Sequence, residues 1–182
     1  KYLYAISSIQ PRKNYINMIK SFSSVVKENP NYQDIYLVIT GSQLWDTDKV
    51  YKAVRDYEIQ ENVIFLGNTP DEHVAILLKG SMAYINVSLE EGFGLPVLEA
   101  MASKKPMIIS NIPTFKELAE DNAIYVDPNS TSSIKEGMLK VLCETCFDEQ
   151  IDDAYKLSQK FTWENTAKKT LQVIKNVYLN KY

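Results

Sequence analysis

The feature that most constrains this chain is the alternation of short apolar runs with longer amphipathic stretches. Six runs are apolar almost throughout and bounded by turn residues: Tyr2–Ser7, Ile35–Thr40, Val63–Leu66, Met82–Val87, Met107–Ser110 and Ala123–Val126. Runs of this length suit strands that are covered on both faces. Between them, apolar residues recur at helical spacing. Ile16, Ile19, Phe22, Val25 and Val26 share one face of a helix predicted over Tyr15–Lys27. Further helices are predicted over Thr47–Tyr57, Asp71–Leu78, Pro96–Ser103 and Phe115–Ala119. After Asp127-Pro128 the pattern becomes all helical, over Ser132–Cys146, Asp148–Gln159 and Glu164–Tyr178.

A β-α-β-α order with short connections predicts right-handed crossovers and helices on both faces of one sheet. The expected fold is α/β: a Rossmann-like, doubly wound, mostly parallel six-stranded sheet followed by C-terminal helices. With 182 residues and 45% hydrophobic content, the chain can bury a substantial core. A formal net charge of -3 offers no electrostatic case for nucleic acid or an anionic membrane as the main partner. No run of about 18 apolar residues suggests a membrane span. The chain opens inside a strand pattern, so it reads as a piece of a longer protein. Cys143 and Cys146 form a Cys-x-x-Cys with no second pair nearby, and are expected to be two reduced thiols of a cytosolic protein.

In doubly wound sheets, ligands bind beyond the carboxyl ends of the strands. The loop after the fourth run is the most informative: Ser88-Leu89-Glu90-Glu91-Gly92-Phe93-Gly94-Leu95-Pro96-Val97-Leu98-Glu99. Pro96 suits the start of a helix, and Gly92 and Gly94 can take backbone angles closed to other residues. Free N–H groups and the positive end of the helix dipole would converge there on an anion such as a diphosphate. Glu91 and Glu99 flank the loop, and a carboxylate can accept hydrogen bonds from two neighbouring sugar hydroxyls. The bland alternative is a solvated Glu91 and a Glu99 that merely favours the dipole from the first turn. After the first run, Arg12 and Lys13 precede a helix for which Asn14 is a good N-cap. Two cations at a helix start oppose its dipole, which suggests an anion nearby. Gly41 would allow a ligand to approach closely.

The segment from Glu91 to Met101 closely resembles the Glu-x7-Glu signature of retaining family 4 (group 1) glycosyltransferases with the GT-B fold. The flanking segments follow in family order over nearly the whole chain. The resemblance implies a donor site. Glu91 would contact hydroxyls of the transferred sugar as the catalytic-site acid. Glu99 would hold the ribose, and the backbone of Gly92, Phe93, Gly94 and Leu95 the diphosphate. Arg12 and Lys13 would neutralise it. Ser7, Gly41 and Leu66 would line the donor site, and the backbone from Val63 to Gly67 would bracket the base. Many members carry Gly-Arg where this chain has Ser7-Ser8, which leaves more of the charge to Arg12 and Lys13.

The same resemblance implies residues 1–160 as the nucleotide-sugar-binding domain, and 161–182 as a helix that crosses back to an N-terminal domain. The donor would be a GDP- or UDP-hexose, with no cofactor and no metal. The acceptor would be a glycan or a lipid-linked molecule held by that other domain. The place would be the cytoplasm or the inner face of the cytoplasmic membrane, with peripheral membrane contact open. The isolated chain would bind donor weakly and transfer nothing. The Pro-Arg-Lys-Asn form leans towards mannosyl or similar transferases of surface-polysaccharide assembly. A non-catalytic nucleotide-sugar module, or an epimerase- or phosphorylase-like GT-B enzyme, stays open as an alternative.

Other residues carry blander expectations. His73 reads as an exposed surface histidine behind a cap at Asp71, and Glu117 as structural. Asp46-x-Asp48 suits a helix N-terminus rather than a metal site. Lys104 and Lys105 suit a solvated helix end. Thr162 is a candidate N-cap with Asn165 three residues on, and Phe161 and Trp163 are expected to anchor the last helix by packing. Val177 and Tyr178 are expected to be exposed if no N-terminal domain covers them.

Overall fold

A computed structural model describes residues 1–143 and 146–179. Six strands, β1 Tyr2–Ile6, β2 Tyr36–Thr40, β3 Val63–Gly67, β4 Ala83–Asn86, β5 Met107–Ser110 and β6 Ile124–Val126, form one sheet in the order β3-β2-β1-β4-β5-β6. Every neighbouring pair is parallel. The helices are α1 Tyr15–Glu28, α2 Thr47–Asp56, α3 Asp71–Gly80, α4 Leu95–Ala102, α5 Pro113–Ala119, α6 Thr131–Cys143, α7 Asp148–Ser158 and α8 Trp163–Leu179. The part of the predicted sixth helix at 144–145 lies outside the described residues.

Side chains alternate across the sheet into two cores. Leu3 and Ala5, Leu37 and Ile39, and Ala83 and Ile85 pack with α1, α2 and α6 on one side. Tyr4, Val38, Tyr84 and Ile109 pack with α3, α4, α5 and α7 on the other. Two-sided burial is why these strands read as continuous apolar runs. The expectation fails at β3, an edge strand, where Ile64 and Leu66 are exposed.

The buried face of α1 also differs from the predicted one. Tyr15 and Met18 are buried with Ile19, Phe22, Val25 and Val26, whereas Ile16 is exposed. Tyr15 can turn inwards because its hydroxyl lies 2.8 Å from Ser7 Oγ. Burial raises the phenol's pKa, partly offset by that hydrogen bond.

The strand order reverses between β1 and β4. Connections leave these two adjacent strands towards opposite faces, which opens a crevice at their carboxyl ends. The loops at 7–14 and 87–94 form its banks.

Candidate functional site

The first bank is a short 3-10 turn, Pro11–Lys13, entered through extended Gln10. Asn14 follows in the left-handed region, with φ 58°, and makes no side-chain cap. It holds the N-cap position of α1, as expected, but not through its side chain. Its Nδ2 donates instead to the carbonyls of Val87, at 3.1 Å, and Pro128, at 2.7 Å. Asn14 therefore ties the first bank to the second. Leu89 N–H adds a bond to Arg12 O at 2.8 Å, and an Arg12 guanidinium nitrogen donates to Glu90 O at 3.2 Å.

Between the banks lies a bridged ion cluster. Lys13 Nζ is 2.5 Å from Glu91 Oε1, and Arg12 is 2.7 Å from Glu91 Oε2. The Lys13 and Glu91 side chains are only 9% and 7% exposed, so neither is a solvated loop residue. Ser88 Oγ lies 2.9 Å from Glu91 Oε1 and 2.6 Å from Asn86 Oδ1, and shares its one proton between them. Burial pushes the Glu91 pKa upwards, but bonds from Lys13, Arg12 and Ser88 reverse the shift, and it ends below the usual carboxylate value. The Glu91 carbonyl accepts a bond from Thr114 Oγ1 at 2.9 Å, which fixes its backbone against α5.

The chain then turns into α4. Gly94 has φ 100°, and a Cβ there would stand 2.8 Å from the Phe115 ring, so glycine is required twice over. Gly92 has no left-handed φ, and a Cβ added to it would meet nothing within 4 Å, so the fold does not demand glycine there. The helix begins at Leu95 rather than Pro96, and Pro96 takes the second position. Glu99 is thus the fifth helical residue, and the simple first-turn explanation for it lapses. It faces a cleft of about 790 Å³ shared with Ser7, Thr40, Gly41, Asp71 and Leu95. Although Glu99 reaches solvent through the cleft mouth, partial desolvation and the nearby Asp71 carboxylate raise its pKa.

Gly41 lines the same cleft, but its glycine has an internal cause. With φ 137°, a Cβ would lie 2.1 Å from Ser7 O. The close approach is to the neighbouring loop.

The predicted site residues fall into three places. Ser7, Gly41, Leu95 and Glu99 line the main cleft. Arg12, Lys13 and Glu91 form the ion cluster. Leu66 lines an adjoining cleft of about 440 Å³ with His73. Phe93 is exposed, and its ring stacks edge-on against Phe161 at 6.0 Å. Three residues of the cluster and the cleft are not singled out as site residues by the sequence: Ser88, Thr114 and the cleft-lining Asp71. Asp71, expected as a helix cap, is the first residue of α3, after Pro70. Nothing in the spacing of Ser88 or Thr114 announces a role.

Elsewhere, His73 is exposed as expected. Cys143 and Cys146 are free and exposed. Lys104 pairs with Asp152 at 2.7 Å, but Lys105 is not a solvated helix end. It donates to Ser81 O at 3.0 Å, and partial burial lowers its pKa. Thr162 does cap α8, with Asn165 N–H bonded to its Oγ1 at 3.1 Å. The packing role expected for Trp163 fails, since α8 buries no residue and Trp163 is 82% exposed, whereas Phe161 packs through its ring against Phe93. Among the described residues, no helix is long and apolar enough to cross a membrane.

Known proteins share this architecture. Residues 1–160 match the family described as Glycosyl transferases group 1. The O-antigen chain mannosyltransferase B of Escherichia coli is 29% identical over 96% of this chain and 45% of its own length. The O-antigen chain mannosyltransferase RfbU of Salmonella typhimurium is 32% identical over 84% of this chain and 40% of its own length. The chain thus spans less than half the length of these relatives. The C-terminal domain of the glycosyl transferase group 1 family protein LpcC from Francisella tularensis superposes with a TM-score of 0.75 at 24% identity, covering 88% of this chain and 85% of that domain. On a family match over most of its length, the chain belongs to the group 1 glycosyltransferases and has the Rossmann-like architecture of their GT-B fold.

Proposed function

We propose that this chain holds the nucleoside-diphosphate sugar donor of a retaining, metal-independent hexosyl transfer. One observation carries the reading: two acids of opposite environment flank a single helix N-terminus at the sheet's switch point. Glu99 opens onto the cleft, where its carboxylate would accept bonds from ribose hydroxyls. The diphosphate would lie across the Gly92–Leu95 backbone at the N-terminus of α4. Lys13 and Arg12, paired with Glu91 just ahead of that helix, would supply positive charge to it, a task that a metal ion performs in other designs. Glu91 would meet hydroxyls of the transferred sugar.

In the transfer, the bond between the anomeric carbon and the diphosphate oxygen breaks. The acceptor oxygen bonds to that carbon on the same face, and the acceptor proton passes to the departing diphosphate. The negative charge that develops is met by the two cations and the helix N–H groups. The acceptor and its site belong, in this reading, to the rest of the longer proteins that the chain resembles. The O-antigen relatives make GDP-mannose the first donor to try, at the cytoplasmic side of surface-polysaccharide assembly.

A thermal-shift screen of GDP-, UDP- and ADP-sugars tests the reading, because a ligand of the folded state raises the melting temperature by mass action. One nucleotide sugar is expected to stand out, with no change on adding a chelator. Calorimetry with that sugar should then show Glu99→Ala weakening binding by about tenfold, equivalent to about 1.4 kcal/mol. Unchanged affinity in Glu99→Ala removes Glu99 from the site, and the absence of any shift removes the donor reading.

A further inference from the structure

We infer that Glu91 is an internal competitor for the donor diphosphate: in the empty site its carboxylate occupies the two cations, and an intact donor draws it onto the sugar. The inference rests on the donor reading above and concerns how that site selects and releases its ligand.

In the empty site the Glu91 carboxylate is fully occupied. Both Glu91 oxygens are engaged, Oε1 by Lys13 and Ser88, Oε2 by Arg12. The surrounding backbone is pinned by Leu89 N–H to Arg12 O, by Arg12 to Glu90 O and by Thr114 Oγ1 to Glu91 O. Exchange therefore falls to the side chains. A diphosphate seated at the start of α4 would have to attract Lys13 and Arg12 away from a carboxylate that already holds them.

That exchange has a cost which depends on the ligand. A nucleoside diphosphate alone takes the cations and strands Glu91, whose side chain is 7% exposed, without a positive partner. An uncompensated buried carboxylate is strongly unfavourable. A nucleotide sugar takes the same cations but returns hydroxyl donors to Glu91, and hydrogen bonds to an ionised acceptor are the strong kind. The site therefore favours the intact donor over the product that lacks the sugar. After transfer, Glu91 regains its cations, and this helps to expel the diphosphate.

Inorganic pyrophosphate is the decisive probe, since it has the anion without base, ribose or sugar. Calorimetric titrations of the wild-type chain, Glu91→Gln and Lys13→Met at one low ionic strength make the test. The expected result is pyrophosphate binding about tenfold tighter in Glu91→Gln than in wild type, the equivalent of about 1.4 kcal/mol, and lost in Lys13→Met. Glu91→Asp, which keeps the charge but shortens the reach, should tighten binding less, and serves if Glu91→Gln does not fold. Equal or weaker pyrophosphate binding in both Glu91 variants, with Lys13→Met still defective, overturns the competition while leaving the cations as the diphosphate site. Pyrophosphate affinity indifferent to Lys13→Met overturns the donor reading as well.

Discussion

Glu91 and Glu99 stand eight residues apart in one motif, yet the fold treats their charges oppositely. Glu91 is held below the ordinary carboxylate value: burial works against ionisation, and Lys13 and Arg12 outweigh it. Glu99 is held above that value by desolvation and Asp71. The linkage signs follow. For Glu91, the folded state prefers the ionised form, so its contribution to stability is present above the unfolded value of about 4.3 and is lost as pH falls through the lower folded value. Glu91→Gln is expected to destabilise the chain by about 1–3 kcal/mol at neutral pH, because it leaves a nearly sealed Lys13 without its carboxylate. The difference should shrink on acidification through the lowered folded value. For Glu99 the sign reverses: ionisation is penalised in the folded state, and the penalty grows as pH rises through the raised folded value. Glu99→Gln is expected to raise the melting temperature slightly at neutral pH and to leave it unchanged below about pH 4. Melting curves of the two variants from about pH 3 to 8 check both. Parallel pH profiles for the two would show that their environments are not opposed.

At the scale of elements, the loops that join strands to helices decide which glycines serve the fold and which are free for a ligand. Gly41 is held at φ 137° against Ser7 O, where a Cβ has no room. Gly41→Ala is expected to cost at least about 3 kcal/mol, seen as a lower denaturation midpoint. Gly92 has open space around it, and Gly92→Ala should change stability by no more than about 0.5 kcal/mol. If Gly92→Ala keeps its melting temperature and yet loses the shift induced by the nucleotide sugar, the missing side chain serves the ligand. Unaltered donor binding would make Gly92 incidental. This contrast is not legible in the sequence, where Gly41, Gly92 and Gly94 look alike, because a glycine's reason lies in atoms distant along the chain. The strands are legible, since burial on both faces writes itself as continuous apolar runs. The acid–glycine–acid loop is legible as the entry to a helix after a strand, because proline and glycine fix its place there. What stays hidden is pairing across the crevice: Asn14 on Val87 and Pro128, and Thr114 on the Glu91 carbonyl. A polar residue that bonds a remote carbonyl leaves no periodic trace. The same blindness makes Trp163 look like an anchor, because aromatic character signals burial only on average.

At the scale of the whole molecule, stability is concentrated in the sheet and its two flanking cores. β1, β4 and β5 contribute side chains to both cores, and Leu3, Tyr4, Tyr84, Ile85, Ile108 and Ile109 are fully enclosed. By contrast, α8 runs seventeen residues without a buried side chain. Leu171, Ile174 and Tyr178 recur at helical spacing on it and remain more than half exposed. An amphipathic helix gains most of its stability from packing its apolar face, and a short helix without that packing is marginal in water. The chain is therefore expected to open in two tiers. Amides of α8 should exchange with solvent deuterium through low-cost local fraying, whereas those of β1, β4 and β5 should exchange only through global unfolding. Hydrogen exchange resolved by segment, with denaturant added below the midpoint, distinguishes the tiers: exchange in the central strands should accelerate with denaturant and exchange in α8 should barely respond. Protection of α8 equal to that of β4, with the same denaturant dependence, would show that the helix folds as one unit with the sheet.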